Sequence, residues 1–348
     1  MFRMLQLAGL VLVGFALASC GAAASSSVPA SQAASAAPAS VAAASGSPAK
    51  LVVGLGQAVA QVSPVWVAQD AGYFAKNGLD VDARVAVATT GLAALLSGEL
   101  TFQIGGGSEL LNGVANGADL VALANIAPRS ALRFEVAPTI KSKEDLVGKK
   151  LGITRFGSAT HTASRALLSR IGLDPDKDVS FIQLDTTANV ATGLISGNIQ
   201  GAMCTPPECF RVEASGFRPM YELAKLDMPD TTAVVIANKA WLNGNRAVAQ
   251  RFMDGLLQGI AREKQDKPLS LAALKKGLKI DDENALSTTY DFYVNNVLAS
   301  EPYARPEQFS DVVAVITAQS GKLKDFDVNS VIDSSLVQSA IQRGLNKI

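Results

Sequence analysis

From residue 50 onward, runs of four or five consecutive apolar residues alternate with longer stretches whose apolar positions recur every third or fourth residue. The first pattern predicts strands buried on both faces, and the second predicts amphipathic helices packed over them. Lys50-Leu51-Val52-Val53-Gly54 opens as a strand, and a helix follows Pro64 with Val65, Ala68 and Ala71 on one face. That helix stops at Gly78-Leu79-Asp80, and a strand runs from Val81 to Val87. A second helix ends in Leu96-Ser97-Gly98-Glu99-Leu100, and Thr101 to Ile104 form the third strand.

The same order then repeats. Lys150 to Thr154 form a strand, a helix begins near Ser158 and stops at Gly172-Leu173-Asp174, and Val179 to Leu184 form the next strand. A helix ending in Ile195-Ser196-Gly197-Asn198-Ile199 leads to a strand over Gly201 to Cys204. The two Ser-Gly steps lie 99 residues apart and the two Gly-Leu-Asp steps 94 apart. Each glycine falls where a helix must turn into a loop, a place that favours left-handed backbone. Two such units predict two α/β lobes, each a mainly parallel sheet flanked by helices. Open parallel sheets bind ligands beyond the carboxyl ends of their strands, beside helix N-termini. The loops at those points are Gly54 to Ser63, Gly105 to Ser108, Arg155 to Thr160 and Thr205 to Glu208, and facing lobes would bring them into one cleft.

Composition narrows the chemistry. The 348 residues carry 31 basic and 31 acidic side chains, so no global field draws in nucleic acid or an anionic membrane. One histidine and three cysteines leave little for metal or nucleophile chemistry, and no cofactor or metal is expected. Phosphate loops, G-x-G-x-x-G and G-x-S-x-G motifs are absent from the sequence. Asp325-Phe326-Asp327-Val328-Asn329 begins like a calcium loop, but Ser330 replaces the turn glycine and Leu336 the bidentate glutamate, so a helix-capping turn is expected there.

The chain's first residues predict a processing signal. Arg3 precedes an apolar stretch over residues 4 to 17, too short to span a bilayer comfortably. It runs into Leu17-Ala18-Ser19-Cys20, which looks like a lipobox: residues 1–19 would be removed and Cys20 lipidated. An ordinary secretory signal with an incidental cysteine is the alternative. Residues 21 to 49 hold no charge before Lys50 and nothing large to bury, so 20–49 is expected to be a tether. The expected location is outside the cytoplasmic membrane, anchored through Cys20.

The segment Pro64-Val65-Trp66-Val67-Ala68-Gln69-Asp70-Ala71-Gly72-Tyr73-Phe74-Ala75-Lys76-Asn77-Gly78-Leu79-Asp80-Val81 resembles the opening helix and turn of the nitrate/sulfonate/taurine-type substrate-binding proteins of ABC transporters. That family also includes pyrimidine-precursor binders. Asp145-Leu146-Val147-Gly148-Lys149-Lys150-Leu151-Gly152-Ile153 is similar to its passage into the second lobe, and Gly157-Ser158 with Gly172 to Val179 to the next segment. Ser196 to Ala202 resembles a further motif, with Gln200 in place of the common Asp. The resemblance implies a two-lobed type II periplasmic binding protein with two crossings between lobes. Lobe 1 would be 50–134 plus 232–348 and lobe 2 would be 135–231, with Arg133 to Ala137 and Ala233 to Ala237 as hinge strands. It also implies a small-molecule ligand, a permease partner, a monomer and no catalysis. A sensor lipoprotein docking on a receptor and a lipoprotein enzyme are the alternatives; the enzyme would have only His161 with Glu208 to work with.

Candidate ligand contacts follow from the cleft loops. Gly157, Ser158 and Thr160 at a helix start offer free amides for an anion, although Ser158 could simply cap the helix. His161 is either a neighbour of that site or a satisfied structural residue. Gln57 and Ser63 lie in the first exit loop, Ser108 follows three glycines, and Trp66 either stacks on a planar ligand or packs in the core. Thr205 and Glu208 flank two prolines, and Glu208 would accept from an amine or hydroxyl unless it is merely solvated. Cys204 and Cys209 bracket that loop and could form a disulfide in an oxidising compartment.

Overall fold

The computed structural model describes residues 47–226 and 228–347. The proposed signal over 1–19, the lipidated Cys20 and nearly all of the 20–49 tether lie outside them. Two five-stranded sheets organise the rest. Sheet one runs β2 (Leu79–Val85), β1 (Ala49–Leu55), β3 (Phe102–Gly105), β10 (Val234–Asn238), β4 (Leu120–Asn125). Sheet two runs β7 (Val179–Gln183), β6 (Lys149–Ile153), β8 (Gly201–Cys204), β5 (Arg133–Val136), β9 (Arg218–Glu222). The orders match position for position, so the duplication visible in the sequence is a duplication of topology.

In each sheet four strands run one way and the fourth in order runs against its two neighbours. Those two reversed strands are β5 and β10, each following a segment that crosses from the other sheet. The crossings themselves are residues 126–132 and 223–233, tied together by a bridge between Arg129 and Pro229. Strands β5 and β10 are paired on both edges, deep inside their sheets.

Burial on both faces explains the unbroken apolar runs. Val234 and Ile236 of β10 enter one core while Val235 and Ala237 enter the core on the opposite face. Helices supply those cores. On one side of sheet one lie α1 (Ser63–Asp70), α8 (Lys239–Gln265), α9 (Lys267–Leu278) and α10 (Glu283–Asn296). On the other lie α4 (Gly107–Ala115) and α11 (Ser310–Ser320). Sheet two carries α5 (Ala159–Arg170), α6 (Thr187–Ile195) and α7 (Glu208–Ala214).

The expected helix after Pro64 is two helices. Gly72, at φ +71°, ends α1, and the chain restarts as α2 (Tyr73–Lys76). The repeated Ser-Gly steps do end helices in left-handed backbone, with φ +81° at Gly98 and +76° at Gly197. Around the sequence resembling a calcium loop, Asp327 accepts from the amide of Asn329 at the start of a short 3₁₀ turn over Val328–Val331, as a cap does. No helix among the described residues is long and apolar enough to cross a membrane.

Candidate binding site

The order 2-1-3 in sheet one and 7-6-8 in sheet two puts the switch in chain direction between β1 and β3 and between β6 and β8. All four exit loops line one cavity of about 70 Å³. Gln57 follows β1, Gly106 follows β3, Arg155 follows β6 and Thr205 follows β8, so both sheets contribute. Leu132 and Thr232, in the crossings, also line it. A water needs roughly 10–15 Å³ in such a measure, so the cavity has room for a small polyatomic solute or a handful of waters.

Arg155 is the one basic side chain on the wall. Its Nε is buried without a hydrogen-bond partner. A guanidinium donor shut away from water without an acceptor is costly, so this one is poised for an acceptor that enters the cavity. Beside it, the backbone at the start of α5 carries Ser158 and Thr160, both buried. The N-terminal amides of this twelve-residue helix add positive potential at the same wall.

Ser158 occupies the N-cap position but does not cap with its side chain. Its hydroxyl donates to the carbonyl of Arg155 at 2.7 Å and clusters with the hydroxyls of Thr154 and Thr160 at 2.9 and 3.1 Å. The effect is to fix the turn that presents Arg155. Opposite stands Glu109, whose Oε2 accepts from the amide of Gly106 at 3.2 Å. Burial pushes its pKa up to about 7, against the opposing pull of the Gly106 amide and the Arg155 charge.

Gln57, Ser158, Thr160 and Thr205 therefore line the cavity, and the Thr205 hydroxyl is buried without a partner. The remaining candidates lie elsewhere. His161 is buried between Phe156 and Phe181, both edge-on at 5.2 and 5.0 Å, and its Nδ1 accepts from the amide of Gly157 at 3.0 Å. Burial, then the Arg165 charge, hold its pKa down at about 4, so it is a neutral packing residue. Gly157 spends its amide on that bond and takes φ +79° to make the turn. Trp66 lies over Gly277, where any Cβ would collide with the ring, and packs half-buried against the core. Ser63, the first residue of α1, is buried with its hydroxyl between Glu263 at 2.5 Å and the carbonyl of Ala60 at 2.7 Å.

Glu208 starts α7 and faces an outer groove shared with Thr288 of α10, not the cavity. Ser108 lines a second, smaller cavity together with Asp230 and Thr232. Cys204 and Cys209 are buried with Cα atoms 5.6 Å apart, the separation a disulfide needs. Arg155, Glu109, Gln61, Thr187 and Thr232 are wall residues that the sequence reading did not single out. Arg155 had one available signal: it is a basic residue at a strand exit, immediately ahead of a helix start.

A family model described as NMT1/THI5 like matches residues 59–266. The chain belongs to that family. The matched span begins in the first exit loop, just after Gln57, and runs into α8, so it contains the exits of β3, β6 and β8 that open into the cavity. YtlA of Bacillus subtilis (strain 168), named as a binding protein, is 21% identical over 289 residues, covering 79% of this chain and 85% of YtlA. The periplasmic aliphatic sulphonate binding protein SsuA of Escherichia coli superposes with a TM-score of 0.69 at 19% identity, covering 84% of this chain and 100% of SsuA. The periplasmic nitrate-binding protein NrtA of Synechocystis PCC 6803 gives a TM-score of 0.67 at 13% identity, covering 85% and 89%. The two-lobed fold of periplasmic binding proteins is thus the fold of this chain.

Proposed function

We propose that the chain is the extracytoplasmic solute-binding component of an ABC importer, anchored by lipid at Cys20, and that its ligand carries an anionic group. The observation that carries this reading is Arg155: a guanidinium with a buried, unpartnered donor, beside a helix N-terminus, in a cavity walled by both sheets. The names of SsuA and NrtA, which bind a sulphonate and nitrate, favour an anion of that kind here. A catalytic role finds no support in the one acid–base pair available, because His161 is packed between phenylalanines and Glu208 faces another groove.

The working division is lobe 1 over 50–134 plus 232–348 and lobe 2 over 135–231. The crossings at 126–132 and 223–233 would bend, with β5 and β10 carrying the motion into each sheet. A monomer suffices, since one chain supplies the whole wall of the cavity. Differential scanning fluorimetry against nitrate, short alkanesulfonates, carboxylates and uncharged pyrimidines tests the ligand class. A ligand at 100 times its Kd adds about 2.7 kcal/mol to stability. Stabilisation by pyrimidines alone, with every anion silent, would remove the anion assignment.

Anchoring is a separate expectation. Cys20→Ser should abolish incorporation of labelled palmitate, because the cysteine thiol is the attachment point. Label in the serine variant would sink the lipid anchor while leaving the binding reading in place. The Cys204–Cys209 bond is tested by thiol counting on unfolded, unreduced protein from which residues 1–20 have been removed. No reactive thiol is expected; two would show the pair to be free.

A further inference from the structure

Glu135 of β5, Cys204 at the end of β8 and Cys209 on α7 come together in the interior, and none of the three lines the cavity. A carboxylate oxygen and the two sulfurs all lie within 4.8 Å of one another, and all three residues are 0% exposed. Topology makes the cluster. Strand β5 runs antiparallel to β8 with Arg133 opposite Cys204, so Glu135, two residues along, shares the face of the sheet that Cys204 occupies. Helix α7 brings Cys209 onto that face, one turn ahead of Glu213.

A disulfide between the cysteines accounts for the two sulfurs and leaves the carboxyl unexplained. Glu135 Oε1 and Oε2 are both buried without a hydrogen-bond partner. The neighbouring guanidinium does not serve them. Arg133 sets Nη1 on Glu213 at 2.6 Å and lies against the ring of Phe210, while its Nε stays 3.8 Å from Glu135. A fully buried carboxyl with two orphan oxygens is costly unless something positive or hydrogen-bonding reaches it.

We propose that, with its two cysteines as thiols, this cluster is a site for a thiophilic divalent cation of the zinc class, ligated by Cys204, Cys209 and Glu135. Thiolate ligands favour zinc and its neighbours, whereas magnesium and calcium take sets of oxygens. Glu135 supplies the third ligand that the two cysteines lack, and the fourth position of a tetrahedral zinc takes water or a further carboxylate. The site and the disulfide are alternative states of one pair, so only the reduced form takes the metal. Either link pins the loop from Cys204 to Cys209, whose Thr205 lines the ligand cavity. Cysteine spacing alone does not reveal the site, because the carboxylate comes from another strand.

Cobalt(II) and zinc are the probes, on the full-length chain carrying Cys20→Ser so that the pair holds its only thiols. One portion is reduced with a phosphine and freed of reductant under argon; the other is left oxidised. The reduced form should take up one cobalt per chain with the intense thiolate-to-cobalt absorption of sulfur ligation, and zinc should bleach it. Zinc should also raise the melting temperature of the reduced form and leave that of the oxidised form unchanged. Glu135→Gln keeps the volume and both thiols, and should weaken cobalt binding at least about tenfold, the low end for disturbing even a ligand's support. Cys209→Ser should abolish the band. The comparison of reduced with oxidised protein needs no core substitution, so it decides the site even where Glu135→Gln fails to fold. Should reduction alone unfold the chain, recovery of its circular dichroism on adding zinc supports the site, and no recovery overturns it. Absence of the band in folded, reduced protein overturns the proposal. So does an affinity that Glu135→Gln leaves unchanged, or cobalt uptake that persists at one per chain in Cys209→Ser or in the oxidised form, which would place the metal elsewhere.

Discussion

Replacing Arg155 with methionine should cost at least about 100-fold in affinity for the anion that stabilises the wild type, with the fold intact. Hydrogen bonds to a charged group contribute about 1.5–3 kcal/mol each, and 1.4 kcal/mol is a factor of ten. Arg155 is positioned to make more than one, since the guanidinium is a fork and its Nε already lacks a partner. Methionine fills a similar volume without donors. The turn should survive, because Ser158 holds it through the backbone carbonyl of residue 155 and not through the side chain. The free protein should become slightly more stable, since a buried unpaired donor disappears. Arg155→Lys should recover part of the loss as a point charge without the planar geometry. Calorimetry with circular dichroism as the folding control makes the measurement; wild-type affinity in a folded methionine variant would place the anion elsewhere.

How much of this was legible beforehand depends on the range over which each feature is determined. The strand–helix–strand order, its repetition and the helix ends at Gly98 and Gly197 follow from local patterning, and the structure has them at those positions. The location of the cleft was legible too, because it follows from strand exits alone. Side-chain roles were not. Trp66 packs against the core because Gly277, more than 200 positions later, comes to rest against its ring. His161 is neutral and packed because Phe156 and Phe181 close on it from a loop and from β7. Ser63 is spent on Glu263 of α8. In each case the residue type and its loop address were compatible with ligand contact, and packing partners that the local pattern does not reveal took the side chain instead. The second, smaller cavity shows the same limit from the other side: Ser108, Ser130, Asp230 and Asp311 line it but share no motif, coming from α4, α11 and the two crossings.

The interior also stores a pH dependence that α8 should dominate. Glu263 is buried beneath α1, and burial raises its pKa from 4.5 to about 8, against the lowering effect of the Ser63 hydroxyl and the Lys264 charge. A carboxyl with a raised folded-state pKa stays protonated while the unfolded chain has already released its proton. Between about pH 4.5 and 8 the native state therefore binds more protons, and stability falls as pH rises through that window. The full linkage for one such group is on the order of 5 kcal/mol as an upper bound, since each pKa unit corresponds to about 1.4 kcal/mol. Glu135, raised to about 8 by burial and then by Glu213, and Glu109, raised to about 7, push in the same direction. Glu263→Gln keeps an acceptor for Ser63 and carries no charge at any pH. Its melting temperature should match the wild type near pH 5 and exceed it by several degrees at pH 8.5, flattening the profile. Ser63→Ala should do the reverse, because the ionised form loses its only side-chain donor. Thermal melts of the three proteins across pH 5 to 8.5, in one buffer series at constant ionic strength, decide it. Parallel wild-type and glutamine curves would mean that Glu263 is not protonated in the native state, and that water or a rearranged α8 accommodates its charge.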